Sequence, residues 1–247
     1  MEINNKNSVT VITAVWNDAE HIEKTIQSVL SQTYQNIEYI IIDGGSKDRT
    51  VDVIKEYADK ISYWTSEPDK GVYDAMNKGI AASTGDFVIF MNSGDTFHSV
   101  DAIEKMFLDN VDKNTIVYGN VSVKYWDGVV VEKPHEFFKT SMKFKGVGIC
   151  HQTVLFPGEV IRKMKYDLSY RIASDYDLMY RMWKNSVSFV YRDVVVADYE
   201  WGNGISSNPY KLLDVYRENA RVCGQQRNPF YWAKLALEYY RLKKKQK

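Results

Sequence analysis

Five consecutive apolar residues, Phe87-Val88-Ile89-Phe90-Met91, run directly into the polar turn Asn92-Ser93-Gly94-Asp95. A run of this length without polar alternation, rich in β-branched and aromatic side chains, suits a strand buried on both faces, as in a parallel sheet. Open parallel sheets bind ligands beyond the carboxyl ends of their strands. Asp95 then stands at the mouth of a site, on a turn that Gly94 lets bend tightly. Taken alone, the same four residues fit an ordinary solvated turn equally well, because they are common turn formers.

The residues before this run repeat the theme. Val9-Thr10-Val11-Ile12-Thr13 reads as a first buried strand, and Asn17 with Glu20 three residues later resembles a capping box. The helix it opens covers residues 18–31, with Ile22, Ile26, Val29 and Leu30 on its apolar face. Glu38-Tyr39-Ile40-Ile41-Ile42 reads as a second strand ending in Asp43-Gly44-Gly45-Ser46. Val51, Ile54 and Ala58 mark another helix, Ile61–Thr65 a short third strand, and residues 73–82 a further helix after the loop that Pro68 and Gly71 punctuate. Strand–helix alternation with short connections predicts a doubly wound α/β sheet. Its carboxyl ends after Thr13, at Asp43 and at Asp95 should converge on one crevice. Asp43 can accept hydrogen bonds there from a base or ribose, and Gly44-Gly45 allows close backbone approach. No Gly-x-Gly-x-x-Gly follows the first strand and no Gly-x-x-x-x-Gly-Lys-Ser/Thr occurs, which removes the main support for dinucleotide-binding and P-loop readings.

Composition narrows the class without naming it. With 32 basic against 32 acidic residues, nothing argues for wholesale nucleic-acid binding. The polar start MEINNKNS has no apolar core of a secretory signal, and no window approaches the roughly 18 apolar residues of a spanning helix. Cys150 and Cys223 do not make a disulfide framework. A cytoplasmic location follows as the expectation.

Four motifs then occur in one order: Thr13-Ala14-Val15-Trp16-Asn17, Ser31-Gln32-Thr33-Tyr34, Asp43-Gly44-Gly45-Ser46-Lys47-Asp48 and Asn92-Ser93-Gly94-Asp95. The set resembles family 2 glycosyltransferases, which have the GT-A fold and use sugar nucleotides. Glu67 through Gly79, read EPDKGVYDAMNKG, is similar to the branch found in bacterial exopolysaccharide and colanic-acid assembly. The resemblance covers roughly residues 8–207. It implies that Thr13, Trp16 and Asp43 contact the nucleoside, with Asp69, Lys70 and Gly71 along the same wall. Asp95 matches the last aspartate of the family's metal motif and would hold Mg2+ or Mn2+ against the diphosphate, a cation suited to oxygen ligands. Ser93 and Gly94 would lie by the donor sugar. Two departures stand out: Asn92 and Gly94 leave one carboxylate in the turn, and the frequent arginine before the asparagine of the helix at residues 73–82 is Met76, with Lys70 or Lys78 as substitute cations.

In the second half, Thr115–Lys124 and Val129–Val131 flank Asp127-Gly128 and predict a hairpin. Residues 133–145 read as a loop or short helix. Ile149–Phe156 reads as a strand with a polar centre, and a lone histidine such as His151 is ordinarily structural. The resemblance places His151-Gln152 near the donor sugar. Ala173-Ser174-Asp175-Tyr176-Asp177 opens a helix, where Ser174 or Asp175 could serve merely as a cap. The resemblance aligns Ser174-Asp175 with the family's Glu-Asp pair, making Asp175 the general base and Asp177 the reserve candidate. Trp201, with Gly202 and Gly204, is similar to the family's mobile glycine-rich loop. Residues 209–223 and 230–242 read as two helices; the second carries Trp232, Leu235, Ala236, Tyr239 and Leu242 on one face and ends in a lysine run. Such a stripe can meet an anionic membrane surface or pack on the core.

The expected architecture is a GT-A, Rossmann-like α/β fold: a mixed, mostly parallel sheet flanked by helices. Residues 1–208 form the transferase domain, with a nucleotide-binding half at 8–97 and an acceptor half at 98–208, followed by a helical extension at 209–247. The implied activity is inverting sugar transfer from a nucleoside-diphosphate sugar, a UDP-sugar favoured, to a glycan or lipid-linked acceptor at the inner face of the cytoplasmic membrane. An inactive nucleotide-sugar-binding subunit and a nucleotidyltransferase are the alternatives. The latter wants a glycine- and arginine-rich phosphate loop that Thr13–Asn17 lacks.

Overall fold

The computed structural model describes residues 7–107, 111–125, 128–132, 148–200, 212–233 and 235–236. Within them the strands are β1 (Val9–Val15), β2 (Ile37–Asp43), β3 (Tyr63–Ser66), β4 (Phe87–Phe90), β5 (Thr96–Phe97), β6 (Thr115–Tyr125), β7 (Gly128–Glu132), β8 (Val154–Pro157) and β9 (Ser188–Glu200). The helices are α1 (Ile22–Leu30), α2 (Thr50–Glu56), α3 (Val72–Ala82), α4 (Ala102–Met106), α5 (Gly158–Met164), α6 (Ser174–Lys184) and α7 (Leu212–Val222). The strands form one mixed sheet in the order β3-β2-β1-β4-β8-β6-β9-β5, with β7 paired to β6. From β3 to β4 the pairing is parallel. β8 runs antiparallel to both β4 and β6 and joins the two halves. This is the expected GT-A architecture.

The continuous apolar runs follow from a sheet covered on both faces. On β1, Val9, Val11 and Val15 pack with Ile22, Ile26 and Val29 of α1, while Ile12 and Ala14 pack with Met76 and Ile80 of α3. β4 divides likewise, Phe87 and Ile89 against Val88 and Phe90. The α3-side cluster extends through Leu178, Met179 and Met182 of α6 to Ala220, Cys223, Tyr231 and Leu235. The C-terminal stripe therefore packs on the core at Trp232 and Leu235, whereas Tyr239 and Leu242 lie outside the described residues.

Three local expectations are corrected. Asn17 does not cap α1: its amide donates to Ser46 Oγ (2.7 Å) and its Oδ1 accepts from Lys47 N (2.7 Å), so it ties the β1–α1 turn to the β2–α2 turn. α1 begins only at Ile22. The stretch 149–156 is a 3-10 turn at His151–Thr153 followed by β8, because its polar centre bonds to the Asn92–Asp95 turn. β9, unforeseen in the sequence, has its apolar run broken by Arg192-Asp193. That break falls at the β6–β9 register shift opposite Gly119, where a Cβ would collide with Val194 O. β6 and β7 do pair antiparallel, Tyr125 opposite Gly128; Trp126-Asp127 between them lie outside the described residues, as do residues 133–145.

Candidate active site

β1 and β4 are parallel neighbours, so the turns after both emerge on one edge of the sheet. Ser93 N donates to Ala14 O (3.1 Å), and Gly94, at φ +94°, donates to Thr25 Oγ1 (3.1 Å). Thr25, buried on α1, passes its own hydroxyl hydrogen to Asp95 O (2.8 Å), so α1 staples the turn from below. Only a residue tolerant of positive φ fits at position 94. The Asp95 side chain is held at Oδ2 by Gln152 Nε2 (2.8 Å), while its Oδ1 carries no hydrogen bond among the described residues. Burial pushes the Asp95 carboxyl up to about 6, against the downward pull of the Gln152 bond and the nearby His151.

The 3-10 turn carrying Gln152 also carries His151. One ring nitrogen, Nε2, lies 3.3 Å from Asn92 Nδ2, and the other, Nδ1, lies 3.8 Å from Asp175 Oδ2. His151-Gln152 thus spans the cleft from the β4 turn to the start of α6. Cys150 donates its thiol hydrogen to Gln152 Oε1 (2.6 Å), and burial pushes the thiol well above its ordinary pKa.

At α6, Ser174 is fully buried and donates to Asp167 O (2.9 Å), which explains a neutral residue there: a carboxylate would be buried without a cation. Asp175, in the first helical turn where a negative charge is favoured, accepts from Tyr176 N at Oδ1 (2.7 Å) and stays about a quarter exposed to the cleft. The loop before it is anchored by Glu218 of α7, which accepts the amides of Arg171 (3.0 Å), Ile172 (2.8 Å) and Ala173 (2.8 Å). Tyr73 of α3 donates to Ile172 O (2.7 Å) from the other side.

These elements enclose a cleft of about 990 Å³. Trp16, Ser93, Gly94, Asp95, His151, Gln152 and Asp175 all line it, Trp16 with 65% of its surface exposed. Thr13, Asp43, Asp69, Lys70, Gly71 and Asp177 are not among the lining residues. Thr13 is buried and donates to Met91 O (2.7 Å). Asp43 is fully buried and accepts from Gly45 N (3.1 Å), Ser46 N (2.9 Å), Ser66 Oγ (2.6 Å) and Ser46 Oγ, so it organises its own turn. Asp69 accepts from Gly71 N (2.7 Å), and Gly44 has no side chain because a Cβ would collide with Asp69 Oδ2 and crowd Trp16. Asp69 therefore stands behind the Trp16 shelf. Lys70 is exposed, and Lys78 is engaged by Glu67 (2.8 Å). Asp177 pairs with Arg181 (2.7 Å) and its carboxyl is raised by burial, a structural ion pair. Trp201 lies outside the described residues. The cleft also contains residues the sequence did not mark: Asp18, which accepts from Ser93 Oγ (2.6 Å) and binds His21 Nδ1 (2.6 Å), and Arg171. The Asp18 bond raises the pKa of His21.

No cluster of three or more His, Cys, Asp or Glu side chains forms a complete metal-ligand set among the described residues. Asp95 does fit a divalent cation as a single anchor, since its Oδ1 is unoccupied and its burial favours a partner of opposite charge. Substrate phosphates would supply further oxygen ligands.

A mixed sheet with a cleft at the carboxyl ends of β1 and β4, whose lining includes the buried Asp95 and the helix-terminal Asp175, is the arrangement expected of a glycosyltransferase of the GT-A class. The profile of Glycosyl transferase family 2 matches residues 10–182, and the chain belongs to that family. It is 34% identical over 183 residues to an uncharacterized glycosyltransferase of Mycobacterium tuberculosis, covering 70% of this chain and 68% of that one. It is 28% identical over 209 residues to a PGL/p-HBAD biosynthesis glycosyltransferase of Mycobacterium bovis, covering 80% and 78%. Among solved structures, TarS 1-349 of S. aureus in complex with UDP-GlcNAc superposes with a TM-score of 0.63 at 16% identity, covering 87% of this chain and 66% of that one. A mannosyltransferase from Pyrobaculum calidifontis in complex with GDP-Man and Mn2+ gives 0.60 at 17%, covering 93% and 64%. At these identities the structural likeness concerns the fold.

Proposed function

We propose that this chain transfers a sugar, with inversion, from a nucleoside-diphosphate sugar to a hydroxyl of a glycan or lipid-linked acceptor in bacterial surface polysaccharide synthesis. The observation that carries this reading is the span of His151-Gln152, which holds Asp95 at one end of the cleft and approaches Asp175 at the other. The exposed Trp16 ring beside Asp69 offers a shelf for the nucleoside. A UDP-sugar is favoured, in keeping with UDP and UDP-GlcNAc in the TarS complexes. A mycobacterial relative named a PGL/p-HBAD biosynthesis glycosyltransferase supports sugar transfer in a biosynthetic route.

Asp175 accepts the acceptor's hydroxyl proton as that oxygen attacks the anomeric carbon. The bond from that carbon to the diphosphate oxygen breaks, its electron pair leaving with the diphosphate, and attack from the opposite face inverts the centre. Mg2+ or Mn2+ held by Asp95 would neutralise charge on the leaving diphosphate. His151 fixes Asn92 and stands against Asp175, and Gln152 orients Asp95. Residues 229–247, with exposed Phe230 and a terminal lysine run, bring the enzyme to an anionic membrane surface.

Asp175→Asn should lower release of nucleoside diphosphate by roughly a hundredfold or more, with calorimetric binding of UDP unchanged. Retained turnover would place the base elsewhere.

A further inference from the structure

The charges of the cleft are lopsided. Among the described residues its lining contains the carboxylates of Asp18, Asp95, Glu132, Asp175 and Glu200, and Arg171 as the one lysine or arginine. The carboxylates have partners: Asp18 is held by Ser93 and His21, Glu200 by Lys124 (2.9 Å), Glu132 by Tyr125, Asp95 by Gln152 and Asp175 by the Tyr176 amide. The Arg171 side chain, in contrast, is exposed and has no hydrogen bond or ion pair among the described residues. Its backbone is anything but loose. Glu218 takes three successive amides from Arg171 to Ala173, and Tyr73 holds the Ile172 carbonyl. An exposed cation on a backbone fixed from two sides, in a cleft where each described carboxylate has at least one partner of its own, is prepared for an anion that arrives from outside.

We infer that Arg171 is the anion-binding residue of this cleft and takes a phosphate group carried by a substrate. The planar guanidinium matches phosphate bidentately, which an ammonium does not. The phosphate can belong to the donor's diphosphate or to a phosphate-linked lipid acceptor. The assignment rests on the transferase reading only for which substrate brings it, because the site itself is read with a bare anion.

The test is calorimetry of the full chain with inorganic diphosphate, with and without manganese, on the wild type, Arg171→Gln and Arg171→Lys. Thermal melts confirm that each variant is folded. Arg171→Gln should weaken diphosphate binding by about tenfold to a hundredfold, and Arg171→Lys should recover part of the loss. A parallel loss of UDP affinity assigns the group to the donor. Unchanged UDP affinity with a raised KM for an isoprenyl-phosphate-linked acceptor assigns it to the acceptor. No diphosphate binding by the wild type, or equal binding by folded Arg171→Gln, overturns the inference. Diphosphate binding through Arg171 in a protein that releases no nucleoside diphosphate from any donor would leave the anion site standing and overturn the transferase reading instead.

Discussion

The carboxyl of Asp95 sits at the end of β4 where its ionisation opposes folding, and a bound cation would relieve that opposition. Its pKa rises from an ordinary 3.8 to about 6 because it is buried. The difference is worth about 3 kcal/mol at most. A carboxyl whose folded pKa lies above its unfolded value holds its proton more tightly in the native state. Stability therefore falls as pH rises from about 4 to about 6, and the cost is complete above that window. Asp95→Asn should accordingly stabilise the cation-free protein by about 1–3 kcal/mol at pH 7.5 and give no gain near pH 3.5. Urea titrations at the two pH values check this, and equal stability at pH 7.5 would sink it. Cation-supported UDP binding should fade as pH drops through about 6, since the protonated carboxyl cannot hold the ion. At this scale the sequence marked Asp95 because it ends a buried run, but the Gln152 bond 57 residues away had no local trace. Asp43 carried the same strand-end signal as Asp95, yet its lone pairs go to its own turn, a distinction that depends on Ser66 arriving from β3.

Elements were legible in proportion to how completely both faces are covered. β1 and β4 are buried along their whole length and β2 from Tyr39 onward, so their apolar runs stood out, whereas β9 is largely part-exposed and carries Arg192-Asp193 at a register shift, so no period revealed it. The link between α7 and the loop ahead of α6 was equally hidden, because Glu218 lies 45 to 47 residues from the amides it accepts. That link makes α7 part of the candidate site. Glu218→Ala leaves three amides without their acceptor and should cost about 2–4 kcal/mol, with amide exchange of Arg171, Ile172 and Ala173 faster than the change in global stability explains. Turnover should fall as the start of α6 loses its fixed position, and Glu218→Gln, which keeps one carbonyl oxygen, should retain more of it. Exchange at these amides that merely tracks global unfolding in both variants would reduce Glu218 to ordinary packing.

For the whole molecule, the question is whether the C-terminal segment is an appendage or a piece of the core. Tyr231 and Leu235 are buried in the cluster that holds Tyr176, Met179 and Met182 beneath Asp175, together with Ala220 and Cys223 from α7 and the turn after it. Burying a side chain of that size is worth about 1.5–3 kcal/mol. Removing residues 229–247 should therefore cost at least about 3 kcal/mol from Tyr231 and Leu235 alone, lowering Tm by about 6–12 °C for a domain of this size. The same segment leaves Phe230 83% exposed, next to the sequence that ends in the lysine run. No described helix is long and apolar enough to cross a membrane, so any membrane contact must be made at the surface. Core packing and surface contact then separate by residue. Phe230→Ser with the four final lysines changed to glutamine should keep Tm within about a degree or two, as exposed substitutions do, and abolish flotation with anionic liposomes. Tyr231→Ala should lower Tm and leave flotation intact in the folded fraction. Flotation of the first variant equal to that of the wild type would remove the membrane role from this segment and leave it only its place in the core under the candidate base.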